Sequence, residues 1–480
     1  MNARLTVAAL LLAVLPVVAT AQSGPVARGG YEIETLSTLL PDFPTAITLD
    51  DVGRVYCITT NGGIYRFTPP FGGALQAPEL WFDGTSTLLP YCTAATWHAG
   101  KMYVGHRGKI STIEDTTGDD LGDTVVDIIT GLPSGVPPFT ADHQNNQIVF
   151  DDAGHFYFGI GSQTDSGPET QPWSATIMRA DADGSNLQIH ATGIRNAFGL
   201  AFHPLRGLFA GDNGPNYLTG GPDPVDELNW IQAGADYGYP DYYGMPPAGT
   251  GTKNPAFQFP AHAAPTGMTF DELGQWSGQD GDLYVCLFAM GAGAIVRVSL
   301  DQRNGTDDHD GYMQAIAFNF TTVIDCRFTD QGELICADFL QKKLYRIVPS
   351  DTSRIRLSGP TRRGDLISVE LEDPNEAGDY LVCALSDSET PPLLLPNGEV
   401  FHLNVNTYAF NYTTAPNNGV LGFPSPFLDP TGKSTGYLYI PDEPFLEGLT
   451  FSMGFVSVQI PGLTFGSVSE PLPFVVLPSE

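Results

Sequence analysis

The residues of this chain best suited to carry chemistry lie between Asp142 and Pro240. The run G-I-R-N-A-F-G-L-A-F-H-P (Gly193 to Pro204) sets Arg195 and Asn196 directly before an apolar strand. The tight turn Asp212-Asn213-Gly214-Pro215 follows that strand. After a Gly/Pro-rich insert come Asp226 and Glu227, then A-D-Y-G-Y-P (Ala235 to Pro240). A fixed cation beside carbonyl-rich turns and carboxylates suits an anionic cofactor together with a hard metal ion such as calcium. An ordinary turn with a surface ion pair is the plain alternative. Upstream, D-H-Q-N-N (Asp142 to Asn146) places His143 just before another apolar strand. A neutral imidazole there is suited to take a proton near neutral pH, unless the backbone merely satisfies it.

A third cluster, D-T-T-G-D-D-L-G-D (Asp115 to Asp123), repeats a carboxylate every four residues around glycines. Asp115, Asp119 and Asp123 resemble a degenerate calcium loop. The acidic residue two after the first and the closing bidentate Glu are missing, so a solvated turn competes with a metal site.

The elements that must position these residues are strands. From Tyr31 to about Pro349 one unit recurs: a short apolar strand, a turn carrying Gly, and a second apolar or aromatic strand. Clear copies begin at Ala46, Gln147, Gly199 and Asp325, and looser ones near Tyr91 and Thr266. Six copies, roughly 45 to 70 residues apart, read as propeller blades. The strand Y-E-I-E-T-L-S (Tyr31 to Ser37) has no blade of its own, and on the outside of the sixth it would close the ring and hide an open edge. Loops entering innermost strands would line the mouth of a central channel, which makes His143 and Arg195 neighbours on successive blades. After Ser350 the texture changes to alternating strands joined by Pro/Asn/Gly turns, the pattern of an antiparallel β-sandwich. The expected fold class is therefore all-β, a six-bladed β-propeller (22–350) followed by a C-terminal antiparallel β-sandwich (351–480).

Residues 1–21 read as a secretory signal, with Arg4, the apolar run Leu5 to Val18, and the cleavage site Ala19-Thr20-Ala21. The protein is expected to be secreted or periplasmic, without a membrane span. With 54 acidic against 22 basic residues, the net charge of −32 argues against nucleic acid or an anionic membrane as partner. Six cysteines in an exported chain permit disulfides. Cys326 and Cys336 flank D-Q-G symmetrically and would oppose each other in a hairpin, which makes them the expected pair. Cys57 with Cys92 is a second candidate, and Cys286 and Cys383 have no argued partner.

The chain resembles the soluble quinoprotein glucose/sorbosone dehydrogenase family, whose members use pyrroloquinoline quinone (PQQ) and calcium on a six-bladed propeller. The resemblance rests on G-L-P-S (Gly131 to Ser134) with D-H-Q, on G-I-R-N-A-F-G-L-A-F-H-P, and on D-N-G-P, D-E-L-N and A-D-Y-G-Y-P; A-P-T-G-M-T-F (Ala264 to Phe270) resembles the start of the fifth blade. It implies that His143 removes a proton from a sugar or polyol hydroxyl while hydride passes to the quinone, with Arg195 completing the catalytic pair. Arg195 and Asn196 would contact the quinone, and Asn213 and Asp226 would line its pocket. The carbonyls of Gly214 and Pro215 would bind the calcium that polarises it. Glu227 and the Tyr237 carbonyl would hold a second, structural calcium. An external electron acceptor is implied as partner.

The departures are specific. Ala197 stands where the family usually has proline, and Ser162 replaces the acidic partner of the histidine, with Asp165 nearby. Cationic quinone contacts look replaced at Glu272, Thr322 and Ile324, with Lys101, Arg107, Lys342 or Lys343 as possible substitutes. Two rival readings follow: a non-catalytic propeller binding carbohydrate or protein, and a calcium-dependent lactonase-like hydrolase.

Overall fold

A computed structural model describes residues 25–27, 31–88, 91–134, 143–216, 223–271, 276, 282–288, 293–302, 309–349, 354–357, 361–373, 376–389, 391–396, 400–401, 403–414, 418–460, 464–469 and 471–479. The expected signal segment, Asp142 and Glu272 lie outside these residues. The chain divides into two compact units: Ile33–Met313 with Phe318–Ile347, and Val348–Glu480 with Gln314–Ala317 and the residues up to Glu32.

The larger unit is built from antiparallel sheets whose strands follow one another in sequence, the arrangement of a β-propeller. The first sheet comprises Pro44–Leu49, Val55–Thr59, Gly63–Phe67 and Glu79–Asp83; the second, Ala94–His98, Lys101–His106, Lys109–Glu114 and Thr124–Thr130. The third holds Asn145–Phe150, His155–Ile160, Thr176–Asp181 and Gln188–Thr192. In the fourth are Ala197–His203, Gly207–Asp212, Asp226–Ile231 and Phe257–Phe259. Pro265–Phe270, Leu283–Leu287, Gly293–Gln302 and His309–Phe320 make the fifth. The sixth runs Val323–Phe328, Leu334–Asp338, Lys343–Pro349, with Tyr31–Thr35 on its outer edge. The first strand of each sheet packs against the first strand of the next, and that of the sixth against that of the first.

The recurring sequence unit has a local cause. Asp50 Oδ1 accepts from the backbone N–H groups of Val52 and Arg54, at 3.1 and 2.8 Å, and Asp151 Oδ1 does the same for Ala153 and His155. Each carboxylate closes an Asx turn between the first two strands, while Gly53 and Gly154 take φ of +80° and +81° at no steric cost. Flanking β-branched and aromatic residues then fill the clefts between sheets: Ile148, Phe156 and Phe158 share one core with Ala94 and Ile110 of the preceding sheet.

The innermost strands are joined by a buried polar hub. Asp325 accepts from Ile47 N–H at 2.8 Å, from Gln147 Nε2 at 3.2 Å and from Arg327 Nη1 at 2.6 Å. Gln147 Oε1 in turn accepts from Leu200 N–H at 2.9 Å. Four sheets are thus tied to one carboxylate that is 1 % exposed.

In the smaller unit, one sheet orders Arg354–Leu357, Leu366–Glu372, Lys433–Tyr439 and Leu421–Gly422; another pairs Tyr380–Ser386 with Thr450–Gln459 and its neighbours. Ile367, Val369 and Leu438 of the former share a core with Leu381, Met453 and Phe455 of the latter. One short helix, Tyr408–Thr413, is capped by the Thr407 side chain. No described helix is long and apolar enough to cross a membrane.

The cysteine expectation is corrected. Cys326 and Cys336 do face each other across the ladder, yet all six cysteines are free thiols. Cys326 Sγ is turned toward the next sheet, 3.9 Å from the Tyr284 carbonyl oxygen and against the Cys286 thiol. Cys57 and Cys92 are held apart because they point into different cores, Cys57 toward the sixth sheet and Cys92 toward the second.

Candidate functional site

In each of these sheets the first strand begins, and the second ends, at the same end of the ring. The entry to the first strand and the turn after the second therefore gather there. In the third sheet these are His143 and Gly161–Ser162; in the fourth, Arg195–Asn196 and Asp212–Gly214.

His143 is buried, with Nδ1 at 3.0 Å from the Ser162 carbonyl oxygen and 3.1 Å from Ser162 Oγ. Ser162 Oγ already donates to the Thr164 carbonyl at 2.7 Å, so both Ser162 oxygens are acceptors toward the ring. Nδ1 therefore carries the proton and Nε2 the lone pair. Burial, then the nearby Arg195 guanidinium, lower the His143 pKa to about 4, which keeps the imidazole neutral. Gly161 makes the approach possible, because a Cβ there would meet Asn196 Oδ1 at 2.6 Å and His143 Cβ at 3.0 Å.

Arg195 is held on three sides. Its Nε donates to the Asp165 carbonyl at 2.8 Å, Nη2 to Asp165 Oδ1 at 2.6 Å, and Nη1 to the Asn213 carbonyl at 2.9 Å. Asp165 thus serves the guanidinium, while the partner of His143 is the Ser162 backbone. The loop entering the fourth sheet is clamped by Asp212, whose carboxylate accepts from Arg195 N–H and Asn196 N–H at 3.0 and 2.7 Å. Asn196 Oδ1 accepts from Asn146 Nδ2 at 2.9 Å. Asp226 pins two turns at once, accepting from Gly214 N–H and Ala264 N–H, both at 2.7 Å.

His143, Arg195, Asn196, Asn213, Gly214 and Asp226 border one cavity of about 690 Å³. The wall from the first, fifth and sixth sheets is aromatic, with Phe43, Phe288 and Phe339. Ile324 faces this cavity, whereas Thr322 spends its hydroxyl on Asp338 and Leu340. Lys101 is corrected as a substitute cation: it lies at the far end of its strand and pairs with Glu114 at 2.7 Å.

Glu227 and Tyr237 do not border that cavity. They share a narrow pocket of about 10 Å³ with Asp212, Gly214 and Arg195, room for one water or one ion. Glu227 accepts from Gly244 N–H at 2.5 Å and Asn229 Nδ2 at 3.1 Å; burial, then the neighbouring Asp212 carboxylate, push its carboxyl up. Burial also pushes Asp226 up.

The donor set fits a hard cation. Three carboxylates, Asp212, Asp226 and Glu227, are crowded and buried. Buried Asn213 Oδ1 and Asn229 Oδ1 have no hydrogen-bond partner, and the Gly214 and Pro215 carbonyls accept no hydrogen bond among the described residues. Uncompensated buried oxygens are what a hard ion takes as ligands. The larger cavity also fits a planar aromatic anion, with ring faces on one wall and a guanidinium with two N–H groups to spare on the other. Asp115, Asp119 and Asp123 converge to within 4.8 Å, all exposed and on the second sheet's outer turn.

Sequence reasoning missed Asp212 as the clamp of the Arg195 loop and the aromatic wall. Asp212 was legible only as a turn residue, because its role needs strand register. Phe43, Phe288 and Phe339 are far apart in sequence and meet only when the ring closes.

Residues 136–318 match the Glucose / Sorbosone dehydrogenase family model. The chain is 26% identical over 290 residues to the aldose sugar dehydrogenase YliI of Escherichia coli, covering 51% of this chain and 75% of that protein. Quinoprotein glucose dehydrogenase B of Acinetobacter calcoaceticus is 27% identical over 151 residues, 25% of this chain and 29% of that one. The fold is shared with the PQQ-bound aldose sugar dehydrogenase of Streptomyces coelicolor, with TM-score 0.53 at 18% identity over 67% of this chain and 99% of that one. Sheets, loops and family match converge on the same stretch, and together they support the soluble quinoprotein glucose/sorbosone dehydrogenase family as the one this chain resembles.

Proposed function

We propose that this protein is an exported, PQQ- and calcium-dependent dehydrogenase of aldoses or related polyols. In this reading its six sheets are the blades of a propeller and its smaller unit is an accessory β-sandwich. The observation that carries the proposal is the meeting of His143 and Arg195 on one cavity, with the acceptor nitrogen of His143 left free by the Ser162 bond. Names of relatives and an oxidoreductase family model support the chemistry.

PQQ, when bound, supplies a two-electron acceptor for hydride. The chain's own residues do the rest. Nε2 of His143 takes the proton from the hydroxyl oxygen on the carbon being oxidised, whose C–H hydrogen leaves as the hydride, and the Ser162 carbonyl holds the resulting imidazolium through Nδ1–H. Arg195, fixed by Asp165 and Asn213, holds a carboxylate of the cofactor. Asn196 and Asn213 orient it from the same end, and Asp226 keeps the Gly214 turn and the Ala264 turn in register around it. Gly214 and Pro215 offer carbonyls to a calcium ion at the cavity, and Glu227 with Tyr237 to a second ion that ties the strands together. The electrons leave to an external acceptor.

Reconstitution tests this reading. Purified protein given PQQ and calcium should reduce a redox dye when an aldose is added. His143→Ala should lower the rate by roughly 10²- to 10⁴-fold, the range of a positioned general base. Cofactor uptake without dye reduction, for any aldose or polyol, would favour the binding-propeller alternative. Hydrolysis of a lactone without redox turnover would favour the hydrolase.

A further inference from the structure

We infer that Lys342 is the second cation of the propeller cavity, recruited from a cation–π contact with Phe43 to bind an anionic group of the planar ligand. The inference rests on the cofactor reading above. The turn Phe339–Lys342 joins the second and third strands of the sixth sheet at the cavity end, where Asp338 lies opposite Val323. It is fixed by Phe339 N–H to the Thr322 carbonyl at 2.8 Å, Lys342 N–H to the Phe339 carbonyl at 3.3 Å, and Leu40 N–H to the Lys342 carbonyl at 2.8 Å. Lys342 is held at φ +52°, in the left-handed region that residues with a Cβ seldom adopt.

Its side chain ends with Nζ 4.1 Å from the centroid of the Phe43 ring. Phe43 lines the cavity and stacks on Phe339, which also lines it, at 4.9 Å and 24°. The ammonium therefore rests on a ring of the aromatic wall, one side chain away from the cavity, which Lys342 itself does not border.

Charge makes this placement informative. In a chain of net charge −32, carboxylates are abundant and most described cations sit against one. Lys342 Nζ has no carboxylate within 4.0 Å among the described residues, although Asp42 is next to Phe43 in sequence. Asp42 is committed to Thr60 Oγ1 at 2.6 Å and Asn61 N–H at 3.1 Å. An ammonium on a phenyl face is only weakly held, and a ligand carboxylate within reach of its flexible stem offers a stronger charge-assisted bond. A planar anion lying on Phe43 and Phe339 would be gripped by Arg195 from the third and fourth sheets and by Lys342 from the sixth.

The test is equilibrium binding of PQQ to the full chain with calcium, followed by quenching of tryptophan fluorescence and independent of turnover. Lys342→Gln should weaken binding about tenfold or more, Lys342→Glu further, and Lys342→Arg should stay within about threefold of the parent. The lysine's share should shrink as salt is raised. Each variant should melt with the parent, because among the described residues the Lys342 ammonium has no contact but the Phe43 ring. Parent-like binding by Lys342→Gln overturns this inference and leaves the functional reading intact. Absence of PQQ binding by the parent chain overturns both.

Discussion

The imidazole of His143 donates through Nδ1 to the backbone carbonyl of Ser162, 3.0 Å away, rather than to a carboxylate. A neutral carbonyl orients the ring and fixes its tautomer as well as an acid would. It stabilises the protonated ring far less, so burial and the Arg195 guanidinium dominate and hold the pKa at about 4.

The pH–rate profile of the reconstituted enzyme should carry that signature. As the proposed base His143 acts only when neutral, so kcat/KM should fall as pH drops through about 4 and be flat from there to neutrality. Ser162→Asp would set a carboxylate beside Nδ1 and move the acid limb upward by roughly one unit or more. An unmoved limb would mean that the titrating group is not His143.

Calcium and pH should be linked through Glu227. Its carboxyl is raised by burial and by Asp212, so the proton is bound more tightly in the folded than in the unfolded chain. That contribution to stability is fully present below the ordinary carboxylate range and is lost as pH rises through the raised folded value. Metal-free protein should therefore melt at lower temperature in mildly alkaline than in mildly acidic buffer. Calcium, which needs the ionised form, should raise the melting temperature more on the alkaline side. Glu227→Gln should flatten the pH dependence and shrink the calcium increment; an increment equal at both pH values would exclude Glu227 as a ligand.

Much of this arrangement was legible in the sequence, and the illegible part has a common cause. The Asp-x-x-Gly turns at Asp50 and Asp151 are local, so the strand pairs they close could be read from a few residues. The position of Tyr31–Thr35 followed from counting strands and edges. His143 and Arg195 could be brought together because both precede a first strand. Thr322 could not be resolved, because whether its hydroxyl faces ligand or Asp338 depends on a rotation the sequence does not encode. Neither could Lys342, whose left-handed turn and aromatic contact join residues some 300 positions apart.

Asp325 should prove the most sensitive polar residue of the ring. Its carboxylate serves Ile47 N–H, Gln147 and Arg327 from three sheets, in a site without water access. Asp325→Ala would leave the buried Gln147 amide and the Ile47 backbone donor without partners and take the counter-charge from Arg327, which would keep only the Met268 and Cys326 carbonyls, at a cost of about 3–5 kcal/mol. Urea denaturation followed by circular dichroism measures this directly. Asp325→Asn, which keeps the acceptor oxygen but not the charge, should cost less than alanine. Equal losses would show that packing volume, and not the hydrogen bonds, is what the site requires.

The thiols give a prediction independent of any ligand. Burial pushes Cys286, Cys336 and Cys383 up, away from the thiolate form, so they should be inert in the native protein. Protein purified without reductant and unfolded in guanidinium should titrate six thiols per chain with Ellman's reagent, against almost none before unfolding. Its melting temperature should not respond to reductant. Four thiols, with a melting temperature that drops on reduction, would mean that one pair is oxidised, Cys326 with Cys286, against which it rests, or with Cys336 across the ladder. The Cys326 Sγ bond to the Tyr284 carbonyl across the sheet boundary would then be broken.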